Sequence, residues 1–180
     1  MSGASARAAD PALDQPPRPF AGGFTSAIGR LAARDWFFWP AAAVVVLLGA
    51  AVELRARMTP DVAWYLYAAR RVLDGKRLYV DVIEINPPLS MWLHLPIVAA
   101  SRALGVPDPV VFRLCVFVLV LASAAIAAWL LRGPLAVERA TRRWWLLALI
   151  FVLLPLTRED FGQREHVLLC VLVPYVLACA

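Results

Sequence analysis

Two polar stretches, Thr59-Pro60-Asp61 and Arg158-Glu159-Asp160-Phe161-Gly162-Gln163-Arg164-Glu165-His166, hold the residues of this chain best suited to chemistry. Each interrupts sequence apolar enough for a bilayer, where a retained charge is costly and points to a site. Asp61 is a candidate base for taking the proton of an attacking hydroxyl, and Asp160 or Glu165 can position the acceptor or assist it. Arg158 and Arg164 offer planar bidentate forks that match phosphate oxygens, with His166 as a further anion-binding group. The plainer readings are that Asp61 completes a helix terminus and that the second stretch is a charged turn anchoring two helices.

A third polar segment, Gly75 to Pro88, presents Asp81, Glu84 and Asn86. Pro87-Pro88 stiffens it and forces Asn86 into an extended conformation, so the three side chains can face a headgroup. Equally, the segment can be a solvated loop.

The elements that must position these groups follow from composition. Of the residues, 62% are hydrophobic and 17% charged, and several apolar runs approach or exceed the length that crosses a hydrocarbon core. This predicts an all-α, polytopic membrane protein with spans over about 36–52, 109–131, 144–157 and 167–180. A disordered cytoplasmic tail is expected over 1–35, where Pro11, Pro16, Pro17, Pro19 and Gly22-Gly23 leave no core to pack. Residues 60–74 read as an amphipathic surface helix. Thr59 is its N-cap, Pro60 its first position, Asp61 lies in its first turn, and Gly75 ends it. Val62, Tyr65, Leu66, Ala69, Val72 and Leu73 share the apolar face. Residues 88–104 read as a second surface helix, because Pro96, His94, Ser101 and Arg102 interrupt its apolar run.

Charge sets the orientation. Arg132, Arg139, Arg142 and Arg143 against Glu138 make a short basic loop that belongs in the cytoplasm, and Arg30 and Arg34 favour a cytoplasmic N-terminus. With 88–104 in the interface, the segments bearing Asp61 and Asp160 share the outer face. The last apolar run is about 14 residues, roughly 21 Å of helix against a core of about 30 Å, so the chain reads as the N-terminal part of a longer protein.

The net charge of +5 does not indicate nucleic acid, since the arginines are scattered rather than gathered on one face; anionic lipid is the expected partner. Cys115, Cys170 and Cys179 lie in apolar runs without disulfide or metal spacing. His94 and His166 show no zinc-ligand pattern, and no Gly-rich phosphate loop or nucleophile elbow is present, so no metal or cofactor is required by the chemistry above.

From Asp61, through the surface helix 62–74, Gly75 with Tyr79 and Asp81, and Pro87-Pro88, to a second acidic loop at 158–165, the chain resembles the GT-C membrane glycosyltransferases. The likeness is to the protein O-mannosyltransferase and aminoarabinose transferase-like branch, and covers about 36–180. It implies a GT-C-like fold in a bacterial inner membrane. It also implies transfer of a sugar from a polyprenyl-phosphate donor to an extracytoplasmic lipid, glycan or protein acceptor, with Asp61 as the base. Many relatives carry Lys or His-Lys before the proline pair; this chain has Asn86. The alternative from the residues alone is a transporter or non-catalytic membrane subunit, with Arg113 and the 158–166 loop lining a path.

Overall fold

A computed structural model describes residues 35–180. The tail expected over 1–35, with Arg30 and Arg34, lies outside the described residues except for Asp35 at the head of the first helix. The described chain is mostly helical (76%) with no strand, and a lone bridge pairs Leu78 with Val82. The helices are α1 (Asp35–Arg55), α2 (Pro60–Leu73), α3 (Pro88–Leu104), α4 (Asp108–Arg132), α5 (Arg139–Leu153) and α6 (Arg164–Cys179). A 3-10 turn at Arg158–Asp160 joins the last two.

Among the described residues two helices, Trp36–Arg55 and Asp108–Arg132, are long and apolar enough to cross a membrane. The other two expected spans correspond to shorter helices of 15 and 16 residues. α5 also differs from expectation in its limits. Arg139, Arg142 and Arg143 are helical rather than loop, and the helix stops at Leu153, short of 157. Hydropathy marks where an apolar environment ends; hydrogen bonding marks where a helix ends, and arginine is a good helix former on either side of that boundary. Arg143 lies over the Phe38 ring at 5.2 Å, and Phe37 meets Trp144, so the basic turn of α5 is used to hold α1. Gly49 makes a further α1 contact. A Cβ there would meet the Leu154 Cβ at 2.6 Å, so the absence of a side chain is what lets the two backbones approach.

α2 begins and ends on local signals. Pro60 takes the first helical position, and Gly75 just beyond it has φ +83, a conformation glycine adopts without penalty. Val62, Tyr65, Leu66, Ala68 and Ala69 are buried, while Trp64, Tyr67 and Arg70 face outward. The Thr59 hydroxyl departs from its expected capping role: it makes no cap hydrogen bond and is buried without a partner.

α3 packs on α2 and on α4, and α4 also carries α5 and α6 on its surface. Polar contacts pin one end of this arrangement. Arg70 makes a bidentate pair with Asp108 (2.6 and 2.7 Å), and Arg102 bridges Asp74 (2.8 Å) and the Arg70 carbonyl (2.9 Å). These contacts tie α2, α3 and α4 together with arginine forks suited to the task. Buried Val98, Met91, Val120 and Val116 fill the space between these helices.

Candidate functional site

α2, α3, α4 and α6 enclose a cavity of about 510 Å³. Its walls are apolar: Leu93 and Ile97 from α3, Val116 and Leu119 from α4, and Leu168 and Val171 from α6. Asp61, Ser90, His94, Gln163 and Arg164 supply its polar groups. Asp61 and Arg164, 103 positions apart, thus line one space (164 − 61 = 103). Among the described residues Asp61 makes no hydrogen bond or ion pair, so its carboxylate is unengaged.

Arg164 is held from the other side of the site. Its Nη1 donates to Asn86 Oδ1 at 3.2 Å. Asn86 is in turn fixed by Glu84, whose Oε1 accepts from the Asn86 backbone N–H (2.8 Å), the Asn86 Nδ2 (2.7 Å) and the Ile85 N–H (2.8 Å). The Trp64 indole donates to the other Glu84 oxygen at 2.5 Å. Burial raises the Glu84 pKa, but these hydrogen bonds outweigh it and hold the carboxyl below its ordinary value. Glu84 is therefore an organiser of Asn86 and, through it, of Arg164, rather than a free carboxylate facing a headgroup. Asp81 is similarly committed: it accepts from the Arg77 backbone N–H at 2.8 Å, which together with the nearby Arg77 side chain lowers its pKa. Tyr79, at φ +68, donates its hydroxyl to the Asn86 carbonyl at 2.7 Å and closes the same turn.

The second polar stretch divides between two places. Asp160, Glu159 and Glu165 are exposed and Asp160 is absent from the lining of either cavity described here; it accepts from Gln163 Nε2 at 3.2 Å. His166, expected among the phosphate-binding groups, is instead buried with both ring nitrogens engaged by backbone. Nδ1 accepts from the Gly162 N–H at 2.8 Å, which leaves Nε2 to donate to the Leu153 carbonyl at 2.9 Å. Burial lowers its pKa, in keeping with this neutral tautomer. Gly162, at φ +76, is pressed against Phe112 of α4, and Phe161 packs on Phe117 and His166. The turn is thereby locked onto α4, and the start of α6 is delivered with Gln163 and Arg164 on the cavity.

Arg158 goes elsewhere. With Arg55, Arg57, Thr59, Pro60 and Glu159 it lines a second cavity of about 700 Å³ beside α1. The first turn of α2 separates the two spaces, with Asp61 on one and Thr59 and Pro60 on the other. Arg113, the basis of the transporter reading, donates to the Ala56 carbonyl at 2.8 Å and so ties α4 to the end of α1.

His94 is the residue that the sequence pattern did not single out as functional. Its ring stacks on Phe112 at 5.6 Å and lies 5.3 Å from Tyr65. Nδ1 contacts the Ser90 carbonyl at 2.6 Å, an arrangement that makes Nδ1 the donor and leaves Nε2 an acceptor, buried and without a partner. Burial lowers its pKa and favours this neutral form. The signal available in sequence was a lone histidine one turn after Ser90 in an apolar run. Among the described residues, no group of three or more His, Cys, Asp or Glu side chains gathers as a metal site.

The site therefore combines an apolar chamber, an unengaged carboxylate and an anchored guanidinium, a set suited to an amphipathic ligand with an anionic head. Among the described residues the protein is mostly helical, with two helices long and apolar enough to cross a membrane. Comparison with protein-family models, curated proteins and solved structures finds no match to the chain.

Proposed function

We propose that this chain belongs to a multi-pass inner-membrane glycosyltransferase of GT-C type that moves a sugar from a polyprenyl phosphate to an extracytoplasmic acceptor. The observation that carries the reading is the meeting of Asp61 and Arg164 on one apolar cavity. The isoprenoid chain of the donor lies along Leu93, Ile97, Leu119 and Leu168, and its phosphate reaches Arg164. Asp61 accepts the proton of the acceptor hydroxyl as that oxygen bonds to the anomeric carbon. The carbon–oxygen bond to phosphate breaks, and the leaving phosphate takes the electron pair under the Arg164 guanidinium. Glu84 and Asn86 position Arg164 and do not touch the reacting atoms.

A polyprenyl-phosphate sugar bearing a photoreactive group in its isoprenoid chain tests the reading. Crosslinks should fall on Leu93, Ile97, Leu119 or Leu168, and an unlabelled donor should compete them away. Crosslinks confined to the outward faces of α1 and α4, or indifferent to competitor, would show that the cavity takes no such lipid.

A further inference from the structure

We propose that the second cavity is a phosphate-binding site formed by the guanidinium groups of Arg55, Arg57 and Arg158 and the Thr59 hydroxyl. Three observations converge on it. First, three arginines line one space of about 700 Å³, Arg55 and Arg57 from the end of α1 and the linker after it and Arg158 from the turn after α5, against the single acid Glu159. Among the described residues none of their guanidiniums has a carboxylate or other hydrogen-bond acceptor, whereas Arg70 and Arg102 each bind a carboxylate. Like charges brought together without a counter-ion repel, and an anion of two or more charges removes that cost.

Second, Thr59 Oγ1 is buried with no hydrogen-bond partner. Its position at the head of α2 would ordinarily consume the hydroxyl as a cap, and the structure leaves it available. A buried hydroxyl without a partner is unfavourable, and a small opening of the α2 start toward the cavity lets a ligand oxygen satisfy it.

Third, Arg158 has φ +43, in the left-handed region that non-glycine residues rarely adopt. That conformation sets Arg158 on the second cavity while Arg164, six positions later, lines the first (164 − 158 = 6). Strain at a residue that lines a charged cavity is characteristic of a binding position.

The ligand class is a phosphate or phosphorylated headgroup, recognised by bidentate arginine contacts. Leu48, Ala51 and Val52 of α1 form an apolar margin along which a lipid tail can lie. Resting on the assignment of Asp61 as base, the site belongs to the acceptor: the two cavities flank the first turn of α2, so an acceptor whose phosphate is held beside Thr59 and Pro60 extends past that turn to bring its hydroxyl to Asp61 on the first cavity. The acceptor is then itself anionic.

Pyrophosphate titrated into the detergent-purified chain by calorimetry at low salt tests the site for soluble anions. Native mass spectrometry with phosphatidic acid against phosphatidylcholine tests it for lipid headgroups. Binding of pyrophosphate, or retention of phosphatidic acid alone, supports the proposal and distinguishes a solution phosphate from a lipid one. Arg158→Gly, which suits the left-handed backbone, and the double substitution Arg55→Gln with Arg57→Gln should each weaken binding at least about tenfold. Thr59→Val should weaken it a few-fold. Asp61→Asn should leave phosphate affinity within about twofold of the parent even where transfer is lost, so failure of the catalytic reading and failure of this site are separable. Equal binding by parent and arginine variants, or no preference for either phosphate probe over phosphatidylcholine, overturns the proposal.

Discussion

Gly162→Ala is the substitution whose cost the structure defines most closely. The residue sits at φ +76, and a Cβ there would lie 2.3 Å from Phe112 Cζ, 2.7 Å from Phe112 Cε1 and 3.1 Å from Val116 Cγ2. Left-handed backbone costs an alanine about 1–2 kcal/mol, and forcing an extra carbon into a packed interface costs about 1–3 kcal/mol more. The sum, about 2–5 kcal/mol, falls on the turn that seats α6 against α4. Phe112 also stacks on His94, so displacement of its ring deforms the first cavity as well. Thermal unfolding of the detergent-solubilised chain, followed by near-ultraviolet circular dichroism, reads the loss. Phe112→Leu deletes the clashing ring atoms, so in the alanine background it should recover the steric part and leave the backbone part, a coupling of at least about 1 kcal/mol in a double-mutant cycle. Gly162→Ala within about 0.5 kcal/mol of the parent, or a strictly additive cycle, would refute the packing argument.

The pH dependence follows from His94 and His166. Burial lowers the folded pKa of each from an ordinary 6.5, so below that value the unfolded chain binds protons that the folded chain resists. Stability should be fully present above pH 6.5 and decline as pH falls through 6.5 toward the folded values, and His94→Phe, which keeps the ring stack, should remove its part of that decline; an unchanged slope would count against it. Cysteines placed from outside should label at Asp81 and not at Glu138, and the reverse pattern would overturn the shared outer face of the two polar segments. A spin label series along 88–104 should show one depth throughout, as a helix in the membrane surface requires; a graded depth crossing the hydrocarbon would rule that placement out.

What was legible in the sequence is what local chemistry decides. Pro60 and Gly75 bracket α2 because one ring presets a helical φ and one missing Cβ permits a left-handed stop, and both act within a turn of themselves. The contact of Asp61 with the same cavity as Arg164 was readable only as a requirement that both lie on one side; its cause is the packing of α6 on α4 through Gly162 and Phe112, which no local pattern encodes. Glu84 looked like a loop carboxylate because Trp64, which donates to its second oxygen, is 20 residues away on a different element. His166 and His94 illustrate the same limit from opposite sides. Each is a histidine at an apolar boundary, yet the fold gives the first two backbone partners and the second only one. Basic Arg139 to Arg143 read as loop because charge was taken to mark the membrane boundary and the helix end together, and the two boundaries differ.

Sugar transfer from a polyprenyl-phosphate donor by Asp61→Asn, in the protein that carries this chain, tests the central claim most directly. Asparagine keeps the size and most of the capping capacity of aspartate but cannot accept the proton. Transfer should therefore fall at least about a hundredfold while membrane insertion and expression match the parent. Near-normal transfer, or a loss that tracks reduced expression, would make Asp61 a helix-terminus residue and contradict the account.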